Sequence, residues 1–368
     1  MSTTSAAGIS RLAKIRGFIS QANIDGIVVT TRLNVAYLSG FHGSAGYLLI
    51  TQKDAILITD SRYTLAAAQE SPEFTVVTSA GSGGYTDALA QEIGKLAGVA
   101  KLGFEKNDVT YGLWESWSEA IPDSVGLVTT SDAVENLRQI KDLDEVDAIR
   151  KAIDIAQNAF LAVKHLLAPG TQERAFARAL EDAMRDLGAT APSFDTIVAG
   201  GPQGARPHHH ANNRTFVDGD LVTIDWGAIV DGYCSDITRA VLIGPTGQAT
   251  AKQEQIHALV LEAQRRAIAA IKPGKTGKEI DAVARDFLTE QGYGEAFSHS
   301  LGHSLGLEVH DGPGFSTRSD LVLAPGMVLT VEPGIYLAGW GGARIEEDVL
   351  VTESGCEVLT SLPQSIIF

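Results

Sequence analysis

Cysteine is scarce in this sequence of 368 residues, in which only Cys234 and Cys356 occur. Two cysteines cannot form a disulfide framework, and their spacing does not resemble that of a thiolate metal site. A reducing compartment is therefore the simplest interpretation, and we expect a cytoplasmic protein.

Basic residues and long apolar runs are also in short supply. The chain has 29 Lys and Arg against 45 Asp and Glu, which gives a net charge of -16. Because phosphate binding needs a basic surface, nucleic acid and anionic membranes are poor partners. No stretch of about 18 uncharged apolar residues occurs, and the N-terminus lacks the apolar core of a signal peptide. The hydrophobic content of 44% is enough for a buried core and favours two domains over one.

The first third of the chain, from Ser10 to about Ser131, alternates short apolar runs with helical stretches. The runs are GIVVT, GYLLIT, AILITD, FTVVT and KLGFE, and this alternation predicts an α/β domain. The charged segment LRQIKDLDE then precedes a helix predicted over 144–167, whose apolar side chains recur at steps of three and four. We place the boundary near Lys141, which gives domains of 1–140 and 141–368.

The second domain contains two similar segments. LLAPGTQERAFARALEDAMRDLG and AIKPGKTGKEIDAVARDFLTEQG both read as a helix, Pro-Gly, a second helix and Gly. Pro169 and Pro273 are 104 residues apart, and so are Gly188 and Gly292. A Pro-Gly stop before a helix is common. The equal offset at both ends nevertheless favours two copies of one unit, and therefore an α+β domain with an internal pseudo-twofold repeat.

Each copy continues into a predicted strand pair that carries two acidic residues. In LVTIDWGAIVDGYCSDITRAVLIG, Asp225 and Asp236 lie about equally far from Asp231-Gly232, a favoured hairpin turn. In MVLTVEPGIYLAGWGGARIEEDVLVT, Glu332 and Glu346 flank a glycine-rich turn in the same way. Acidic residues on strands usually face solvent, but the apolar neighbours here predict burial, which is costly for unpaired carboxylates. Two divalent cations would neutralise four such charges.

Histidines cluster in two segments. In SHSLGHSLGLEVHDGP, three imidazoles fall amid glycines that allow close backbone approach, namely those of His299, His303 and His310. In RPHHHANN the histidines are consecutive, and an accidental surface tract explains them as readily as a binding site; they are His208, His209 and His210. A set of ligands that is rich in oxygen, with one imidazole and no thiolate, is suited to binding manganese, cobalt or zinc. It does not resemble a structural zinc site, which prefers cysteine.

The order of these motifs resembles that of the pita-bread metallopeptidases, and among them the aminopeptidase P and prolidase branch. The matching segments are, in order, DWGAIVDGYCSDITR, GHSLGLEVHDGP, TVEPGIY and RIEEDVLVT. FHGSAGYLLIT and LITDSRYTLAA also resemble the N-terminal domain of the family. The resemblance implies a creatinase-like α/β N-terminal domain and a pita-bread catalytic domain. It further implies a homodimeric, dinuclear peptidase that cuts the bond before a proline residue.

The resemblance also implies roles for particular residues. Two divalent ions, with manganese the first candidate and cobalt or zinc the others, would be bound by Asp225, Asp236, His303, Glu332 and Glu346. Asp236 and Glu346 would bridge both ions, and Glu332 would also handle a proton of the attacking water. The histidines that would contact the substrate are His208, His299 and His310. Arg344 would support the metal ligands.

Three positions depart from the family pattern. Ser304 replaces a glycine after the ligand histidine, and Asp311 replaces a glutamate after a substrate histidine. Gly314 stands where some prolidases carry an arginine for the carboxylate of a dipeptide, unless Arg62 or Arg318 replaces it. The missing arginine favours an aminopeptidase that acts on longer Xaa-Pro peptides. A strict Xaa-Pro dipeptidase is the alternative, and a non-catalytic binding module would require broken ligands.

Overall fold

The computed structural model describes residues 10–80, 84–244 and 248–367. The chain divides into two compact units, Met1–Arg138 and Gln139–Phe368, so this division falls two residues before the predicted boundary. No helix within the described ranges is long and apolar enough to span a membrane.

The first unit is a six-stranded sheet with helices between its strands. The strands are β1 Gly26–Val29, β2 Tyr47–Thr51, β3 Ala55–Thr59, β4 Thr75–Thr78, β5 Lys101–Glu105 and β6 Gly126–Thr130. The helices are α1 Arg11–Gln21, α2 Arg32–Ser39, α3 Thr64–Glu70, α4 Gly84–Lys95, α5 Tyr111–Ala120 and α6 Glu135–Arg138. The strand order is β4-β3-β2-β1-β5-β6, and only β2 is antiparallel to its neighbours.

The α/β class predicted for this unit is confirmed. The five apolar runs of the sequence form β1 to β5, and most of their side chains are buried except on β4. None of those runs corresponds to strand β6. This strand lies at the edge of the sheet, and most of its residues reach solvent. Its weak apolar pattern follows from that position.

The second unit combines four long helices with short antiparallel strands. The helices are α7 Leu143–Val163, α8 Glu173–Asp186, α9 Ala251–Ala270 and α10 Gly277–Glu290. The strands are β7 Ala191–Pro192, β8 Ile197–Gly200, β9 Leu221–Trp226, β10 Ala228–Val230, β11 Tyr233–Cys234, β12 Ile237–Leu242, β13 Val328–Val331, β14 Gly334–Leu337, β15 Gly341–Arg344, β16 Glu347–Val351 and β17 Cys356–Val358. They pair in the orders β12-β9-β8, β11-β10-β7, β13-β16-β17 and β14-β15.

The internal repeat is visible in the bounds of the helices. Helix α8 and helix α10 both have 14 residues, and α10 starts and ends 104 residues after α8. Each is preceded by a Pro-Gly pair whose glycine has a positive φ, 94° at Gly170 and 84° at Gly274. Only glycine adopts this conformation without strain, so the two turns require the residue that the sequence supplies.

Helix α7 fixes the strand on which the first acidic residue lies. Asp142 and Glu145 form a capping box at its start, and its apolar stripe is buried. The ring of Phe160 stacks on that of Trp226 with centroids 4.9 Å apart, and the Trp226 indole donates a hydrogen bond to the Ala156 carbonyl. The α-helix ends at Val163, four residues before the predicted end, because a 3-10 turn follows it over Lys164–Leu166.

Candidate metal centre

Of the first carboxylate pair, Asp225 lies on β9 and Asp236 immediately precedes β12. These strands are antiparallel with Asp225 opposite Thr238, so Asp236 lies diagonally across from Asp225, on the same face. The two-residue turn Asp231-Gly232 joins β10 to β11, with φ values of 52° and 87°, as a tight hairpin requires. The predicted hairpin and the diagonal arrangement of the two aspartates are both present.

The second pair lies at the ends of β13 and β16. Val331 is opposite Glu347 in this antiparallel pair, so Glu332 follows β13 where Glu346 precedes β16. The Glu346 backbone N–H donates to the Thr238 carbonyl at 3.1 Å, and the Thr238 hydroxyl donates to Glu346 Oε2 at 2.7 Å. Thr238, whose role the sequence did not indicate, therefore ties the second pair to the first.

Three of these carboxylates keep a buried oxygen that has no hydrogen-bond partner within the described residues. The atoms are Asp225 Oδ1, Asp236 Oδ1 and Glu346 Oε1. Burial, followed by the charge of Glu346, raises the pKa of Asp236 well above its usual range. Burial, followed by the charge of Asp225, raises the pKa of Glu346 to about 8. Ionising both Asp236 and Glu346 is therefore costly without nearby cations, so the donor set fits a divalent-ion site.

His303 supplies a nitrogen to this group. Its Nδ1 donates to the Ser304 carbonyl at 3.2 Å, which leaves the Nε2 lone pair 3.5 Å from both Asp236 Oδ2 and Glu332 Oε1. Burial, together with nearby His310, lowers the pKa of His303 to about 3, so the ring is neutral and can act as a ligand. One ligand atom each of Asp236, His303 and Glu346 lie within 4.8 Å of one another.

Asp225 and Glu332 stand beside that group of three, and both face Arg344. The Nη2 of Arg344 donates to Asp225 Oδ2 at 2.6 Å, and its Nε is 3.9 Å from Glu332 Oε2. Burial, followed by the charge of Glu346, raises the pKa of Glu332 well above its usual range. Arg344 therefore supplies a positive charge to two of the five predicted ligands.

Tyr336 links Arg344 to His299, and sequence reasoning missed it. The Tyr336 hydroxyl accepts from Arg344 Nη1 at 2.9 Å and lies 2.8 Å from His299 Nε2. Because His299 Nδ1 donates to the Ser300 carbonyl at 2.8 Å, Nε2 accepts the phenol proton. Burial, followed by the charge of Arg344, lowers the pKa of His299 to about 4. The sequence signal that could have identified Tyr336 is its position in the motif TVEPGIY, four residues after Glu332.

All nine predicted site residues line one cleft of about 840 Å³ in the second unit. This volume is within the range of about 300–1,000 Å³ that is usual for ligand pockets. His208 and His310 lie at its exposed side, and the His310 ring meets the His303 ring edge-on with centroids 4.1 Å apart. The structure thus brings together every residue that the motifs singled out.

The histidine tract divides into one buried and two exposed side chains. His208 and His210 are exposed at the cleft, whereas His209 is buried. The Nε2 of His209 is 2.9 Å from Glu173 Oε2, and Glu173 also accepts the N–H groups of Gly200 and Asn212. The tract is therefore not a continuous surface feature, since its central residue helps to hold the loop that carries the other two.

Gly314 is confined by the ligand loop itself. A Cβ atom at this position would overlap the carbonyl oxygen of Gly302 and the Cα of His303. A larger residue, such as the arginine of some prolidases, would therefore displace the backbone of His303. Arg318 is exposed and is not among the residues lining the cleft.

Two family models and several known proteins match this chain. Residues 147–353 match metallopeptidase family M24, and residues 11–140 match the creatinase/prolidase N-terminal domain. The uncharacterized peptidase YqhT of Bacillus subtilis is 44% identical over 97% of this chain and 99% of its own length.

Two solved structures are also similar. The Xaa-Pro dipeptidase from Bacillus anthracis has a TM-score of 0.93 and 43% identity, and covers 97% of this chain and 99% of its own. The X-Pro aminopeptidase from Thermotoga maritima has a TM-score of 0.87 and 42% identity, and the match covers 94% of this chain and 97% of that chain.

Proposed function

Because this chain belongs to metallopeptidase family M24, and is therefore a metal-dependent hydrolase, we propose that it hydrolyses the bond between an N-terminal residue and a following proline. The observation that carries this proposal is the set of buried carboxylate oxygens that have no hydrogen-bond partner among the described residues, around a neutral imidazole in the cleft. Such a set is costly unless cations occupy it.

We assign the ions to five ligands: Asp225, Asp236, His303, Glu332 and Glu346. Asp236 and Glu346 would be shared by the two ions, and with His303 they form the group whose ligand atoms lie within 4.8 Å of one another. When bound, two divalent ions supply the Lewis acidity that activates water near neutral pH. We propose manganese, with cobalt or zinc as substitutes, because the donor set is rich in oxygen.

Glu332 is suited to moving a proton. Its side chain keeps 16% of its surface exposed in the cleft, more than Asp225 or Asp236. Among the described residues its carboxylate accepts a long hydrogen bond of 3.4 Å from the Thr330 hydroxyl, which holds it weakly. It can therefore take a proton from the attacking water and pass it to the departing proline nitrogen.

The imidazoles at the open side of the cleft position the substrate. His208 and His310 can donate to the carbonyl oxygen of the scissile bond and to the oxyanion that develops there. His299 keeps both ring nitrogens in hydrogen bonds, so in this arrangement it supports Tyr336 and Arg344. Arg344 in turn holds Asp225 in place.

The proposal has two forms, which differ in the length of peptide that the enzyme accepts. Position 314 has no room for the arginine that binds the carboxylate of a dipeptide in some prolidases, which favours an aminopeptidase acting on longer peptides. The alternative is a strict dipeptidase, and it is favoured by the likeness to the Bacillus anthracis protein of that name.

A peptide-length series tests both forms. The protein would be loaded with Mn²⁺, Co²⁺ or Zn²⁺ and offered Xaa-Pro and Xaa-Pro-Yaa peptides with the same first two residues. Preferential cleavage of the tripeptide supports the aminopeptidase, and cleavage of the dipeptide alone supports the dipeptidase. Absence of turnover on every proline peptide in all three metals contradicts the proposed function.

We further propose a homodimer that works in the cytoplasm. The sequence prediction of a reducing compartment agrees with two free cysteines, Cys234 and Cys356. Light scattering at micromolar concentration checks the assembly, and a monomer there contradicts it.

A further inference from the structure

A buried ion pair lies beneath the loop that carries His310. The Nζ of Lys141 is 3.3 Å from Asp311 Oδ2, and the two side chains are only 1% and 3% exposed. Lys141 stands in the charged segment that the sequence marks as a connection between domains, where a lysine would ordinarily be solvated. Burying both charges is costly, so the pair invites a functional explanation.

The loop over residues 304–311 folds directly onto this pair. It is closed by the Asp311 backbone N–H, which donates to the Ser304 carbonyl at 2.8 Å. The Gly306 carbonyl accepts from the Cys234 N–H at 2.8 Å. A Cβ atom on Gly306 would overlap Asp311 Oδ2 and lie 3.0 Å from Lys141 Cε. The loop is therefore anchored at its base by its backbone and by the ion pair together.

Two histidines of the site flank that base. His303 immediately precedes Ser304, and His310 immediately precedes Asp311, so the closing hydrogen bond holds their backbones near each other. Their rings consequently meet edge-on, with centroids 4.1 Å apart and planes at 89°. A shift of Asp311 would move His310 relative to His303.

We propose that Lys141 and Asp311 are positioning residues that hold the His310 imidazole at the scissile bond. This inference rests on the proposed peptidase function. The lysine fixes the Asp311 carboxylate, the carboxylate fixes the base of the loop, and the loop aims the imidazole. Misplacement of such a group by about 1 Å lowers turnover by up to about a hundredfold.

A double-mutant cycle separates positioning from stability. Lys141→Met and Asp311→Asn each remove one partner of this buried ion pair, so both single variants are expected to unfold at lower temperature. The double variant Lys141→Met/Asp311→Asn has neither charge, and its thermal stability is expected to return towards that of the wild type. Its kcat is expected to remain at least tenfold low with KM changed less than threefold, in protein loaded with metal and assayed well below its unfolding temperature.

The control is Arg150→Met/Glu357→Gln, which removes an exposed ion pair that also joins distant parts of the second unit. It is expected to keep full activity. If kcat of the double variant at the buried pair is within twofold of wild type under the same conditions, the pair is purely structural and the proposal is overturned.

A second measurement does not depend on turnover. In the wild type, the edge-on contact is expected to shift an imidazole proton of His310 or His303 by the ring current of the other, and assignment follows from His310→Gln. The double variant is expected to lose that shift in metal-free protein. A wild type without peptidase activity would contradict the proposed function, whereas an unchanged ring-current shift in the double variant would contradict the positioning role.

Discussion

The buried carboxylate Glu105 of the first unit and the carboxylates of the candidate metal centre in the second have opposite surroundings. In the first unit Glu105, 6% exposed, accepts hydrogen bonds from the N–H groups of Thr30 and Thr31 at 2.6 and 2.8 Å and from the Asn34 amide at 2.6 Å. In the second unit Asp236 and Glu346 are 4% and 1% exposed, and each keeps an oxygen that no described residue contacts by a hydrogen bond. Burial alone therefore does not distinguish a structural acid from a ligand.

What distinguishes them is whether the charge is satisfied by the protein. Four buried carboxylate oxygens lack a partner within the described residues, and all belong to the second unit, on Asp225, Asp236, Glu346 and Asp348. Asp348 accepts the Asp236 N–H at 3.1 Å with its other oxygen, so it belongs to the same region. Glu105 is thus completed by donors of the protein, whereas Asp225, Asp236 and Glu346 keep oxygens available to the proposed cations.

The largest effect is expected from Asp236→Asn. Loss of a proposed bridging ligand should lower kcat/KM by more than about 10³-fold, because the site would no longer bind two divalent ions side by side. The same change should raise the free energy of unfolding of metal-free protein by about 1–2 kcal/mol, since it relieves repulsion among buried acids. Peptide assays, metal analysis and urea unfolding check both outcomes. Asp286→Asn, at an exposed position on α10, is the matched control; full activity and metal content in Asp236→Asn would contradict the assignment.

The opposite result is expected from Glu105→Gln. The amide turns an NH₂ group towards backbone donors, which should destabilise the first unit by about 2–3 kcal/mol. Hydrogen exchange at the Thr30 and Thr31 amides should accelerate, while metal content and kcat of the folded protein stay unchanged. Glu119→Gln, exposed on α5, is the control. Unchanged exchange at these amides would show that the hydrogen bonds of Glu105 contribute little.

A pH effect should appear only in metal-free protein. Burial, followed by the negative charge of Asp225, raises the pKa of Glu346 from 4.5 to about 8. Between pH 4.5 and 8 the folded state therefore keeps a proton that the unfolded state releases. Stability should therefore fall as pH rises from 6.5 to 8, by at most about 1.4 kcal/mol per pH unit for this group.

Histidine titration has the opposite sign but acts at lower pH. Burial lowers the pKa of His303 to about 3 from 6.5, which makes stability rise with pH only below about 6.5. Melting temperatures at pH 6.5 and 8, with chelator and with saturating Mn²⁺, check the window. A matched variant, Glu346→Gln, should show a smaller fall, because the contribution of Glu346 is removed while Asp236 and Glu332 keep raised pKa values. A similar fall in the presence of Mn²⁺ would rule out the buried acids as its cause.

The smallest effect is expected from Tyr336→Phe. Removal of the hydroxyl leaves Arg344 Nη1 and His299 Nε2 without this partner, which should cost about 1–1.5 kcal/mol, or about tenfold in kcat. Metal content should be retained, because Tyr336 is not a proposed ligand. Tyr293→Phe, at a half-buried tyrosine outside the residues lining the cleft, serves as control. A kcat equal to that of wild type would mean that the link from Arg344 to His299 is dispensable.

The sequence predicted much of the architecture because its signals are local and periodic. The family, the pita-bread fold, the α/β class of the first domain and the offset of the repeated helices are all confirmed. Strand pairs around Asp231-Gly232 followed from turn chemistry, which is set by neighbours in the chain. The motifs also named side chains that the fold gathers into one cleft.

The partners of those side chains were beyond reach of the sequence. His209 and Glu173 are 36 residues apart, and Lys141 and Asp311 are 170 apart. No periodicity links such positions, because the choice of partner depends on how separate elements pack. Lys141 in particular stands in a charged segment whose composition indicates solvent, yet its side chain is buried.

The stacking of Trp226 on Phe160 gives this enzyme an internal optical probe. Trp226 directly follows Asp225 in β9 and is fully buried, so its emission is insulated from water and sensitive to the local electric field. Neutralisation of the adjacent acids by cations would change that field at the indole. Ion loading can therefore be followed on the unlabelled chain, with Trp226→Phe to identify which indole gives the signal.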